Sequence, residues 1–128
     1  MTPASSAKSA LFLQLPFWCA LAALLYGLLR PQSPPDLFYQ SDKWLHLLAF
    51  AALAVCARVA FHFFSTGMLW GTLLLTAPGL ELLQHLLQPH RTFSLYDALA
   101  NLTGVILGAA MCWVFQRGYA SRARVLRW

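Results

Sequence analysis

The sequence predicts an all-α fold, a four-helix transmembrane bundle, from its composition and from its pattern of apolar runs. Apolar residues make up 59% of the 128-residue chain and charged residues only 10%, whereas a soluble domain carries about 25% charged residues. Nine Lys or Arg and four Asp or Glu are too few to surround an apolar core with a polar surface. A surface that faces lipid needs no such cover, so the composition favours a membrane protein.

Four apolar runs are long enough to cross a bilayer, which requires about 20 mostly apolar residues. We expect membrane spans at about 10–29, 43–64, 68–87 and 97–115. The Pro-rich stretch 30–36 ends the first run, a turn at 65–67 separates the second from the third, and Pro89 ends the third. Nothing divides residues 1–128 into more than one domain. A cleaved secretory signal is an alternative for the first run, but that run continues beyond its small residues at 20–22.

The basic residues predict that both termini are cytoplasmic. With four spans, the termini and the 65–67 turn share one side, and that side carries six basic residues: Lys8, Arg58, Arg117, Arg122, Arg124 and Arg127. The other side carries three: Arg30, Lys43 and Arg91. The excess of Lys and Arg marks the cytoplasmic side. The net charge of +5 could suggest a nucleic-acid partner. Because the basic residues flank apolar runs, we interpret them as determinants of membrane orientation and expect no nucleic-acid partner.

Polar residues within the predicted spans fall near one end of the bundle. The second span begins, the third ends and the fourth begins on the same side, the outer side in this orientation. Ionisable groups inside a span are costly and are therefore candidates for function. The candidate site residues are Asp42, Lys43, His46, Glu81, Gln84, Arg91, Asp97 and Asn101.

Several of these residues also have a purely structural interpretation. Asp97 follows Ser94 with the spacing of a helix capping box, and Asp42 could cap the second helix. His46 and Asn101 could serve only to hydrogen-bond neighbouring helices. Glu81 is harder to explain in this way, because a carboxylate well inside a span must find a donor or a proton.

We expect the members of this set to meet in one connected polar cluster, with Arg91 or Lys43 pairing the carboxylates. The expected cluster contains Asp42, His46, Glu81, Arg91, Asp97 and Asn101.

In the fourth span, Gly104 and Gly108 form a GxxxG pattern. Small residues at this spacing let helix backbones approach closely, so we expect a tight contact there, either inside the bundle or between copies of the chain.

Two blocks of these residues resemble the VanZ-like family of bacterial membrane proteins. The first block is Asp42-Lys43-x-x-His46. The second block contains Glu81-x-x-Gln84 and then Arg91-x-x-Ser94-x-x-Asp97-x-x-x-Asn101-x-x-Gly104-x-x-x-Gly108. The resemblance covers the second to fourth spans, about the last two thirds of the chain. It implies an integral protein of the bacterial cytoplasmic (inner) membrane in which this polar set is functional. The family is named for a protein that lowers susceptibility to the glycopeptide teicoplanin, which implies a role in the cell envelope but no particular reaction.

The sequence leaves several classes of function open. The favoured hypothesis is a binding protein whose outer pocket holds a lipid-linked envelope precursor or a lipoglycopeptide. A membrane enzyme is the first alternative, since His46 beside carboxylates suits acid–base chemistry, but the sequence contains no HExxH motif and the polar set contains no Ser or Cys nucleophile. A structural accessory subunit is the second. Although His46, Glu81, His85 and Asp97 are residue types that could ligate a metal, we expect no metal and no cofactor.

Overall fold

The computed structural model describes residues 3–30, 37–88 and 92–125, with side chains described over 11–30, 37–88 and 92–120. Four α-helices lie within these residues: α1 (Pro3–Leu29), α2 (Ser41–Ala60), α3 (Thr66–Leu87) and α4 (Leu95–Val125). The prediction of an all-α, four-helix fold is confirmed. The largest difference in bounds is at α4, which continues beyond the predicted end at 115. Hydropathy identifies only the apolar part of a helix. The helix itself can continue into polar residues, because several of them also favour helical backbone.

The helix starts differ in how they are capped. Ser94 Oγ accepts a hydrogen bond from the backbone N–H of Asp97 at 3.2 Å, which confirms the cap predicted for the fourth helix. The start of α2 has no side-chain cap; Gln40 occupies the N-cap position in a left-handed conformation with φ of 58°. The cap considered for Asp42 is therefore wrong, because the side chain of Asp42 lies within the first turn and contacts Lys43 instead.

Three helices of the described residues are long and apolar enough to cross a membrane, over Leu11–Leu29, Ser41–Ala60 and Leu95–Ala120. The third predicted span, α3, has 22 residues and is not among these three. Large apolar side chains on all four helices point outward, including Phe12, Leu48, Leu75 and Phe115. Exposed apolar surface on this scale requires lipid rather than water, which indicates a multi-pass membrane protein.

The central contact of the bundle is between α2 and α4, with α1 packed on α2 and α3 packed on α4. Gly104 and Gly108 make this contact possible. A Cβ added to Gly104 would collide with the backbone carbonyl of Leu47, and one added to Gly108 would lie 2.7 Å from Ala54 Cβ and 2.9 Å from the carbonyl oxygen of Ala51. The two glycines therefore face α2 inside the chain, and a contact between copies through the same face would require α2 to leave it.

The apolar core fills the interior between these helices. Its buried members include Leu28 from α1, Phe50 and Leu53 from α2, Leu73 from α3 and Val105 from α4. One end of the bundle differs from this interior: there α1 ends, α2 begins, α3 ends and α4 begins. We call this the polar end, because the polar side chains of three helices meet there.

Candidate functional site

The centre of the polar end is formed by one side chain from each of three helices. A ring nitrogen of His46 on α2 and a carboxylate oxygen each of Glu81 on α3 and Asp97 on α4 all lie within 4.8 Å of one another. His46 lies two turns into α2 and Asp97 lies in the first turn of α4, while Glu81 precedes the end of α3 by two turns. Alternating helix directions therefore bring them to a similar depth. We call these three residues, with Lys43 and Asn101, the polar site.

Asn101 connects three helices within the polar site. It is 0% exposed, and its side-chain amide nitrogen donates to the backbone carbonyl of Ala77 on α3 at 3.1 Å. Its side-chain oxygen lies 2.9 Å from Nδ1 of His46. An amide oxygen can only accept, so His46 Nδ1 is the protonated donor. In a neutral ring the other nitrogen, Nε2, then carries a lone pair that can accept a proton or bind a cation.

Lys43 supplies a positive charge where the polar site opens toward the end of the bundle. Its ammonium lies 2.7 Å from Asp42 Oδ2 and 3.4 Å from Asp97 Oδ1. Asp42 therefore joins the polar site through Lys43. Of the two cations expected to pair the carboxylates, Lys43 contacts Asp97. Arg91 lies outside the described residues, and its pairing stays a prediction.

Glu81 ties the end of α3 to the start of α4. It is 3% exposed, and its Oε1 accepts a hydrogen bond from the backbone N–H of Ser94 at 3.2 Å. The same serine caps α4 through its hydroxyl. The sequence indicated Ser94 as a cap and as a member of the second block, but it gave no signal that the backbone N–H of Ser94 would bind a carboxylate from α3.

Gln84, a predicted site residue, hydrogen-bonds to α1. Its side-chain amide donates to the backbone carbonyl of Leu28 at 2.8 Å. Gln88, one turn later, donates to the same carbonyl at 3.1 Å and to that of Arg30 at 3.2 Å. The two amides satisfy carbonyls at the end of α1, which lack partners within their own helix. Gln88 was not among the candidate site residues, although its i, i+4 spacing predicts that it shares a helical face with Gln84.

Comparisons with known proteins do not assign this arrangement to a family. No protein-family model, no curated protein and no solved structure matches the chain. The chemistry of the polar site therefore has to be read from its own groups: an oriented imidazole, two carboxylates from different helices and one ammonium. These groups together can bind a positively or negatively charged group of a ligand, transfer a proton, or bind a cation.

Proposed function

We propose that this chain is a VanZ-like protein of the bacterial cytoplasmic membrane, with both termini in the cytoplasm. In this proposal the polar site opens at the outer face and binds the polar headgroup of a cell-envelope amphiphile, such as a lipid-linked precursor or a lipoglycopeptide. The hydrophobic tail of the ligand remains in the surrounding lipid.

One observation carries the proposal: the exposure of the polar side chains falls steadily from the end of the bundle toward its interior. The side chain of Asp42 is 40% exposed, that of Lys43 27% and that of Asp97 14%. Behind them, Glu81 is 3% exposed and Asn101 is fully buried. A headgroup that binds at the polar end thus meets the exposed charged groups first, with the buried Glu81 and Asn101 behind them.

Aromatic side chains around the polar end support its position at a membrane surface. The exposed aromatic residues there are Phe38, Tyr39, Trp44, Phe93 and Tyr96. Trp and Tyr concentrate at the depth of lipid headgroups, where an apolar ring can carry a polar tip. At that depth the polar site is accessible to the headgroup of an amphiphile that is already anchored in the same leaflet.

The family resemblance supports the same site. The residues of its two blocks lie far apart in the sequence, yet His46, Glu81 and Asp97 meet within 4.8 Å. Asp42 and Lys43 from the first block lie at the entrance. The basic-residue asymmetry supports the orientation, with the polar end outward.

Ligand binding can be measured by native mass spectrometry and thermal shift on the full chain in detergent. The ligands compared are a polyprenyl-linked envelope precursor, a lipoglycopeptide and bulk phospholipid. We expect a preference for one of the first two, and Lys43→Gln should weaken it about tenfold, the equivalent of ~1.4 kcal/mol, through loss of a charge-assisted contact. The matched control is Arg58→Gln, which removes a cation in the last turn of α2, at the opposite end of that helix. Equal affinity for all three ligands would contradict the proposal.

A cellular experiment tests whether the polar site is required for function. Susceptibility to lipoglycopeptides and envelope lipid composition are measured in a deletion strain complemented with the parent chain or with Glu81→Gln. The proposal expects the variant to be present in the membrane at parental level and to fail to complement. Full complementation by Glu81→Gln would favour a structural accessory subunit instead.

A membrane enzyme is the second candidate, and the His46–Asn101 hydrogen bond favours it. This bond orients the ring and occupies Nδ1, and a ring nitrogen of His46 lies within 4.8 Å of carboxylate oxygens of Glu81 and Asp97, which is a suitable arrangement for acid–base catalysis. Mass analysis of the bound ligand after incubation separates the two functions: a binding protein returns it intact, whereas an enzyme converts it and loses that conversion in His46→Gln.

A further inference from the structure

We propose that His46, Glu81 and Asp97 bind a divalent first-row transition-metal ion, for which Zn²⁺ is the appropriate probe. The sequence alone led us to expect no metal, and the geometry now favours one. This inference goes beyond headgroup binding and does not depend on it, since the three ligands come from the chain itself.

The distances between the three groups suit a single ion. One ligand atom from each residue lies within 4.8 Å of the other two. Ligands of the same tetrahedral Zn²⁺, each roughly 2.0–2.2 Å from the ion, lie about 3.3–3.6 Å apart. In our proposal, side-chain rotations bring the three atoms closer together, onto one ion.

The types of ligand select the class of metal. One imidazole nitrogen with two carboxylate oxygens suits Zn²⁺, Mn²⁺ or Fe²⁺. Ca²⁺ and Mg²⁺ prefer oxygen ligands only, so the imidazole disfavours them. Three protein ligands leave at least one coordination position for water or for an oxygen of a bound molecule, as in zinc sites that act on substrates.

The hydrogen bond between His46 and Asn101 is an independent observation that points to a cation. A histidine that ligates a metal usually donates its other ring N–H to a carbonyl or carboxylate, which fixes the tautomer and the ring plane. Here Nδ1 donates to the amide oxygen of Asn101 at 2.9 Å, and Asn101 is itself held by the carbonyl of Ala77. The buried amide thus leaves Nε2 as the nitrogen available to a metal ion.

Asp97 provides a second observation of the same kind. Its Oδ1 is inaccessible to solvent and makes no hydrogen bond to any residue that the structure describes. Its nearest described cation is Lys43, at 3.4 Å, but that ammonium lies closer to Asp42, at 2.7 Å. A buried carboxylate oxygen beside a second carboxylate and an imidazole is a favourable position for a divalent cation, because burial strengthens the attraction.

The experiment measures metal binding directly on the full chain in lipid-free detergent, with an affinity tag that contains no histidine. Chelator-treated protein is titrated with Zn²⁺ by calorimetry, its metal content is measured by elemental analysis, and Co²⁺ is added to observe its visible absorption. We expect about one Zn²⁺ per chain and a Co²⁺ spectrum with nitrogen and oxygen ligands. His46→Ala, Glu81→Gln and Asp97→Asn should each weaken binding by more than about tenfold, and Asn101→Ala by about 10–100-fold as a positioning residue.

The control is matched in residue type and in position: His85→Ala removes an exposed histidine from the same end of α3. It should change the Zn²⁺ affinity by no more than about twofold. No stoichiometric Zn²⁺ in the parent, or binding that survives in Asp97→Asn but is lost in His85→Ala, would overturn the proposal. The Co²⁺ spectrum is measured on the parent protein. It therefore tests the proposal even if a variant fails to fold. Lipid binding by metal-free protein is a separate measurement, so the headgroup proposal and the metal proposal can fail independently.

Discussion

His46 on α2 and Asn101 on α4 are joined by a hydrogen bond of 2.9 Å between Nδ1 and the side-chain oxygen. Asn101 also donates to the carbonyl of Ala77 on α3, so one buried amide links three helices. The bond has two consequences. It stabilises the association of the helices at the polar end, and it places the proton of the bond on Nδ1 of His46.

Replacing Asn101 with Leu should destabilise the bundle. The change removes two interhelical hydrogen bonds, each worth about 0.6–1.7 kcal/mol in a membrane, so we expect a loss of ~1–3 kcal/mol in the free energy of unfolding. Reversible denaturation in mixed detergent measures it. The control is Thr103→Val, which removes an exposed hydroxyl that bonds only to Leu99 within α4. If both variants unfold at the same denaturant concentration, Asn101 does not hold the helices together.

The contact between α2 and α4 predicts opposite effects for two glycines of the same helix. Gly104→Ala places a methyl group against the backbone carbonyl of Leu47, and overpacking of this kind costs about 1–3 kcal/mol. Gly118→Ala meets nothing within 4 Å and should be neutral or stabilise α4 by up to ~1 kcal/mol. The melting temperatures of the two variants test this. A Gly104→Ala protein as stable as the parent would show that the close contact with Leu47 is absent.

Gln84 and Gln88 should act together on the end of α1. Both amides donate to the carbonyl of Leu28, so each single Ala variant leaves one donor in place. The double variant removes both, and its loss of stability should exceed the sum of the single losses by about 0.5–1 kcal/mol, within the range usual for residues that share a partner. A double-mutant cycle of unfolding free energies measures the coupling. Strict additivity would mean that the two amides do not share the Leu28 carbonyl.

The proposed orientation predicts which end of the bundle is accessible from outside the cell. In a background without Cys19, Cys56 and Cys112, single cysteines are placed at Thr92, near the polar end, and at Phe63, in the turn at the other end; both are exposed. Thr92 is preferable to Ser94, whose hydroxyl and backbone N–H are both used. An impermeant thiol reagent applied to intact cells should label Thr92→Cys and leave Phe63→Cys unlabelled. The reverse labelling would place the polar site on the cytoplasmic side.

Much of the architecture followed from local properties of the sequence. Apolar run length predicted four helices, and Pro and turn residues predicted the breaks between them. Because consecutive membrane helices alternate in direction, the chain order alone predicted that His46, Glu81 and Asp97 would lie near one end. The Ser94 cap was also predictable, since a cap involves only residues within one turn.

The tertiary structure was needed to decide which residues touch. Only the packing of α4 against α2 showed that Gly104 and Gly108 form a contact within the chain. The same packing placed Asn101 beside His46 and Asp97 beside Lys43. The contact between α3 and α1 directed Gln84 to the end of α1, although its position in the sequence fits the polar site equally well. Helical periodicity fixes the face on which a side chain lies, but it contains no information on the helix that will cover that face. That choice depends on the close approach of backbones and on the pairing of buried polar groups, which arise only when all four helices are assembled.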